Sequence, residues 1–194
     1  MSADHILWQQ LVSGQRPMPL LVRSLWSAAF GLSELVGEQI SIGEICASQL
    51  ALGELGRRAK APERPCAGVF LRAEGDLPGQ ALLLLRHDDA RELLGLMLGG
   101  AAAGPEFGAC ERSALAECGN AALASMLNTV ASVVGGILRP SPPGVMIGSL
   151  GGIIAALADA AGGPDASRTL IESRYSASRR QIRARLWIIP GLAS

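Results

Sequence analysis

Two long helical patterns, each closed by a glycine, recur at a fixed distance along this chain. Shifting the sequence by 98 positions lays Gly37 on Gly135 and Ser27–Leu35 on Ser125–Val133. Self-similarity at a fixed period is the mark of a repeated structural unit. The elements say the same thing in order: helix, strand, connection, hairpin and helix, then helix, strand, short helix and hairpin. The 194 residues can bury a good core as one domain. The expectation is a single domain over 1–194, built of two repeats at about 17–100 and 106–190, with an α/β (α+β) fold.

The elements follow from periodicity and punctuation. After a short amphipathic N-terminal segment, Pro17 and Pro19 mark the entry to a helix over about Leu20–Val36, stopped by Gly37. A strand is expected near Gln39–Gln49. The piece LGELGRRAKAPERP mixes charge with proline and reads as a surface connection with room for one helical turn. Ala67–Ala73 and Gln80–Leu85 flank the turn residues Glu74 to Pro78, the pattern of a β-hairpin. Asp88 or Asp89 can cap a helix running to about Leu98, with Leu93, Leu94, Met97 and Leu98 inward and Gly99-Gly100 as its stop. The segment AAAGPEFG leads to the central helix, Cys110–Val134. The strand expected over Ile137–Ile147 carries Pro140, Pro142 and Pro143, so it has to be an edge, kinked or only partly paired. A small-residue helix over Gly151–Ala160 follows. Last, Arg168–Tyr175 and Gln181–Ile189 pair around Ser176–Arg180, with Ile182, Ala184, Leu186 and Ile188 on one face.

Several function classes recede on composition. A formal net charge of zero predicts no general attraction to nucleic acid or anionic membrane. Cys46, Cys66, Cys110 and Cys118 show no C-x-x-C spacing, and the two histidines are His5 and His87, so a metal site is not expected. Cys118 reads as a small core residue, His87 as structural, and a reduced, cytoplasmic setting fits all four thiols. The N-terminus has no basic region ahead of an apolar core and does not read as a signal peptide. The uncharged runs Cys118–Leu138 and Pro140–Ala158 reach the length of a membrane span. Their asparagines, serines, glycines and prolines make them weak candidates for insertion. Arg168, Arg174, Arg179, Arg180, Arg183 and Arg185 stand against a single acid, Glu172, on the closing hairpin. That basic face reads as the wet side of a sheet, with contact to an acidic protein or to nucleic acid as alternatives.

On the central helix, about 100° per residue separates two faces. Leu115, Cys118, Gly119, Ala122, Met126 and Val130 form an apolar stripe, while Ser113, Glu117 and Asn120 fall opposite. A helix packed on a sheet hides the first set and shows the second. A carboxylate and a carboxamide one turn apart are then rigidly held and accessible, which suits gripping a partner and placing a water molecule. A Glu-x-x-Asn pair taken alone is equally an ordinary solvated pair, and Ser113 equally a surface or capping hydroxyl.

Glu117-x-x-Asn120, followed after 22 residues by Pro143 and preceded by Ser113, resembles the signature of the CheC-type chemotaxis phosphatases, relatives of CheX and of the flagellar switch proteins. PSPPGVMIG, GQALLLLRHDDARELLGLMLG and the final hairpin are similar to that family too, from about Leu20 to Pro190. The resemblance implies a pseudo-twofold duplicated fold with two long helices packed on a continuous, largely antiparallel sheet. It implies dephosphorylation of a phosphorylated response regulator with a CheY-type receiver domain. Asn120 would orient the attacking water, and Glu117 would anchor the regulator's active-site lysine. Ser113 and Pro143 would support the site, Pro143 by shaping the strand beside the helix. No cofactor of its own is implied, since the magnesium belongs to the regulator. Under the 98-residue shift Pro19 and Val22 stand where a second Glu and Asn would be, so one active centre is expected. Gly148 stands where relatives that bind the CheD deamidase often carry an acid, which argues against that partner. The chain also stops at Ser194, short of the closing helix of some relatives. The alternative is a binding module of the same fold in a signalling or flagellar switch assembly, without hydrolysis.

Overall fold

The computed structural model describes residues 19–59, 61–100, 106–177 and 182–191. The N-terminal segment, Lys60, most of the AAAGPEFG linker and the tip of the last hairpin with Arg179, Arg180 and Gln181 lie outside them. The helices are α1 (Pro19–Val36), α2 (Leu52–Arg58), α3 (His87–Met97), α4 (Ala109–Val134) and α5 (Leu150–Ala160). The strands are β1 (Ile40–Ala51), β2 (Pro65–Gly75), β3 (Gly79–Arg86), β4 (Leu138–Pro140), β5 (Gly144–Ser149), β6 (Ser167–Ala177) and β7 (Ile182–Pro190). All seven strands join one sheet in the order β1-β6-β7-β3-β2-β4, with β5 also pairing β2. Every neighbouring pair is antiparallel.

Alternation along the strands sends successive side chains to opposite faces, and both faces are covered. On one face Val69, Leu71, Leu83, Leu85, Leu186 and Ile188 bury against α1, α3 and α4. On the other, Leu82, Leu84, Leu170, Trp187 and Ile189 bury with Leu52 of α2 and Ile153, Ile154 and Leu157 of α5. Apolar residues on both faces account for the unbroken run ALLLL in β3.

The helix α1 lies antiparallel to α4 at close range because small residues line the crossing. A methyl group at Gly31 would run into Ser125 Oγ and meet the Ala121 carbonyl at 2.7 Å. One turn along, Thr129 donates a 2.7 Å hydrogen bond to Ser27 Oγ. These two contacts exchange under the 98-residue shift, 31 with 129 and 125 with 27. Strand order behaves alike: exchanging β1 with β4/β5, β2 with β6 and β3 with β7 reverses the order onto itself. Buried Tyr175 ties the sheet to α1 by donating to the Leu25 carbonyl at 3.1 Å.

Some local expectations are corrected. The strand foreseen over Ile137–Ile147 is two, β4 and β5, both on β2. Between them Ser141 holds on by donating from its amide to the Arg72 carbonyl (2.8 Å) and accepting the Arg72 amide on Oγ (2.9 Å), so the Pro142-Pro143 pair bulges without freeing the edge. Asp88 and Asp89 fall in the first turn of α3 rather than at its cap, and Asp89 Oδ1 instead accepts the Arg183 amide at 3.2 Å. Leu98, expected inward, is 40% exposed because α3 has already ended at Met97. The connection after β1 holds a seven-residue helix, α2, longer than one turn, because Leu52 is fully buried against α5.

The glycine that seats α4 is Gly119, where a Cβ would lie 2.5 Å from Val69 Cγ1 and 3.0 Å from Leu71 Cδ1 of β2. Gly119→Val is expected to destabilise the protein by about 1–3 kcal/mol through overpacking. A lowered midpoint of urea unfolding with unchanged slope would register it.

Candidate functional site

The candidate site is built on α4, whose 26 residues end at Gly135 in the left-handed conformation (φ 72°). The turn beyond is pinned: Asp76 Oδ2 accepts the Ile137 amide at 2.8 Å, and the Asp76 amide donates to the Ile137 carbonyl at 3.1 Å. On the sheet side, Leu115, Cys118, Ala122, Met126 and Val130 are all buried, as the periodicity foresaw. On the far side Ser113 and Glu117 are exposed and Asn120 is half-buried. Their spacing of four and then three residues puts them in one line, with about 6 Å of axial rise from Ser113 to Glu117 and about 4.5 Å from Glu117 to Asn120.

Pro143 reaches the same neighbourhood through β2. Gly144 pairs with Phe70 and Val145 with Val69, and Val69 is the residue beneath Gly119. Pro143 therefore lies one strand beyond β2, at the level of helix residues 119 and 120, and is half-buried. Ser113, Glu117 and Asn120 share one side of α4, and Pro143 precedes the first residue of β5 that pairs with β2. Glu117 and Asn120 are the two that supply an acceptor and an amide on that side of the helix. Ser113 sits one turn before the acid, and Pro143 immediately precedes β5.

The equivalent face of α1 is apolar. Pro19 and Trp26 are exposed, the latter 52%, Val22 is half-buried and Phe30 is 65% exposed. Trp26 is thus surface rather than core, and Ile45 on β1 is half-buried. The sequence left Trp26, Val22 and Ile45 open as core or contact surface and did not single out Phe30.

Cys118 is buried within the helix–sheet interface, and burial first, then the nearby Glu117 charge, push its thiol up to about 12. Its sulfur lies 3.3 Å from the Met97 sulfur. His87 stacks on Phe107, ring centres 4.7 Å apart. Among the described residues no cluster of three His, Cys, Asp or Glu is arranged for a metal, and no helix is long and apolar enough to cross a membrane. The uncharged runs weighed as spans divide between the end of α4, β4, β5 and α5.

An α+β protein with two long helices on one face of an antiparallel sheet, and a polar pair on the outer side of the second, is the class this geometry defines. Solved structures of chemotaxis and flagellar proteins have this architecture. FliY of Thermotoga maritima superposes with a TM-score of 0.67 at 16% identity, over 97% of this chain and 90% of that one. CheX of Desulfovibrio desulfuricans does so with 0.62 at 12%, over 90% and 100%. CheX in a CheX–CheY–BeF3–magnesium complex from Borrelia burgdorferi gives 0.58 at 12%, over 89% and 98%. No family model and no curated protein matches by sequence. The fold is the CheC/CheX-like fold.

The thiols yield a prediction. Cys46 and Cys110 are exposed and Cys66 and Cys118 buried, so a thiol reagent at pH 8 is expected to label Cys110 and Cys46 natively and the other two only on unfolding. A folded-state pKa of about 12 for Cys118, against 9.0, leaves its stabilisation intact below pH 9. It is lost as pH rises toward 12, by up to about 1.4 kcal/mol per pH unit. Buried Tyr175, whose hydroxyl is also pushed up by burial, acts in the same direction. Urea titrations above pH 9 should show the decline, and Cys118→Ala should shallow it.

Proposed function

We propose that this chain is a phosphatase of phosphorylated response regulators, acting on the aspartyl phosphate of a CheY-type receiver domain. The observation that carries the reading is the Glu117–Asn120 pair, one turn apart on the accessible side of a helix whose opposite side is fixed to the sheet. An acyl phosphate is already activated, and its hydrolysis asks for a positioned water more than for a strong base. The Asn120 carboxamide can accept from water and donate to a phosphoryl oxygen at once. Glu117 can hold a lysine ammonium of the regulator and so fix the approach. Magnesium bound in the regulator would supply the charge neutralisation of the phosphoryl group, leaving this chain to provide Asn120 and Glu117. The likeness to CheX in a complex that contains CheY supports a partner of that kind. A receiver-domain substrate also implies a cytoplasmic setting.

The same reading treats the chain as one domain of two repeats, supported by the reversible strand order and the exchanging Ser27–Thr129 and Gly31–Ser125 contacts. One active centre is proposed, because Pro19 and Val22 provide no acid or amide on α1. A second reading has its own support. The likeness to FliY over 97% of this chain, and the apolar outer face of α1, favour a module that binds a partner in a signalling or flagellar assembly without hydrolysis.

The decay of phosphate from magnesium-loaded CheY-type receiver domains separates the two. Wild-type protein is expected to accelerate decay. Asn120→Ala should lower the rate about 10²-fold, as loss of water positioning does. Glu117→Ala should weaken it mainly by lost binding, and the double variant should leave the intrinsic rate. Binding without acceleration, unaltered by Asn120→Ala, would replace the phosphatase with the binding module.

A further inference from the structure

The face of the sheet opposite α4 is only partly covered, and where its cover ends the strands change character. On β3, Leu82 and Leu84 are followed on the same face by Arg86; on β7, Ile189 and Trp187 give way to Arg185 and Arg183. On β6, Leu170 gives way to Glu172, Arg174 and Ser176, and on β2 the buried Cys66 is preceded by the exposed Arg64. The arginines among these, with Leu84 of β3, Asp89 of α3 and Leu150 at the start of α5, line an open groove of about 500 Å³. Five arginines from four separate places in the chain converge on one concavity.

Their charge is incompletely answered from within. Glu172 lies between Arg174 Nε at 3.6 Å and Arg185 Nε at 3.8 Å, and its buried Oε1 makes no hydrogen bond. Arg86 stands 3.8 Å from Asp88 and 3.9 Å from Asp89, also beyond hydrogen-bond length. The Arg174–Glu44 pair is closer, 3.0 Å, but both side chains are more than half exposed, and such pairs hold weakly against a competing anion. Among the described residues no carboxylate pairs with Arg64 or Arg183. The guanidinium forks therefore keep free N–H groups in the geometry that oxyanions accept bidentately.

We infer that this groove is a binding site for an organic phosphate of nucleotide size, carrying two or more negative charges. Three features choose that class. The volume falls in the range of small-molecule sites, about 300–1,000 Å³. The floor is mixed, with Leu84 and Leu150 to carry an apolar or ring portion and the arginines around it to take the phosphates. The groove is concave, where a flat protein partner needs a broad surface. The site lies across the sheet from Glu117 and Asn120 and does not depend on the phosphatase reading.

Isothermal titration of the full chain with ATP tests the inference, alongside inorganic phosphate and a glutamate-rich peptide as competitors. Saturable one-to-one binding of ATP is expected, at least about tenfold tighter than inorganic phosphate. Arg86→Glu with Arg185→Glu should weaken it by more than about tenfold. Arg64→Ala, in an exposed loop and safe for folding, should weaken it several-fold, while Arg58→Ala, paired with Glu54 outside the groove, should leave it unchanged. Far-UV circular dichroism checks that each variant is folded. Absence of saturable ATP binding, equal affinity for inorganic phosphate, preference for the acidic peptide, or indifference to Arg64→Ala would each overturn the proposal.

Discussion

The antiparallel pairing of β3 with β7, Gly79 against Pro190 through Leu85 against Ala184, is the contact on which the remainder of the molecule depends. It joins the last strand of the first half of the chain to the last strand of the second, and it lies at the centre of the strand order. Its residues are apolar on both sides: Leu83 and Leu186 face one core, Leu82 and Trp187 the other. A strand pair with two buried faces requires cover on both. The chain supplies it unequally, two long helices and α3 on one face and two short helices on the other. The long cover presents a rigid outer helix surface, and the short cover leaves bare sheet. Both candidate sites follow from that inequality.

Much of this was legible in one dimension. The stops of α1 and α4 were marked by Gly37 and Gly135, both with positive φ (67° and 72°), a conformation only glycine adopts at low cost. The buried stripe of α4 followed from period alone, and its six expected positions are all in the interface. The inward set of β7, Ile182, Ala184, Leu186 and Ile188, also packs on the long-helix core. Pro140, Pro142 and Pro143 announced a damaged edge, because proline cannot donate to a ladder.

What sequence reasoning lost was set by long-range pairing. Nothing local told that Ser141 would bridge β4 and β5 by seizing both backbone groups of Arg72. The Asp88-Asp89 pair looks like a cap, but Asp89 is drawn to a strand 94 residues away. The arginines of the closing hairpin read as a wet face, and Arg174, Arg183 and Arg185 are individually exposed. Arg64 and Arg86, from a loop and a different hairpin, turn that face into a groove. Exposed Phe30 was missed, and Trp26 left open between core and contact surface, for the reverse reason: periodicity shows where a helix is apolar, not which apolar residues the neighbours fail to cover.

Strand β2 acts as a common ruler for the candidate site on α4. The helix is seated on it through Gly119 against Val69 and Leu71, and β5 is seated on it through Gly144 against Phe70. Asn120 adjoins the first seat and Pro143 the second. A small displacement of β2 moves both together, so the distance between the helix stripe and the neighbouring strand is conserved when the sheet as a whole shifts. A group that positions water needs that constancy more than it needs a perturbed pKa, since a misplacement of an ångström costs far more than a change in basicity of a neutral amide. The water positioning proposed for Asn120 would therefore rest on the stiffness of the helix–strand contact beneath it, and would call for no histidine or metal cluster of the chain's own.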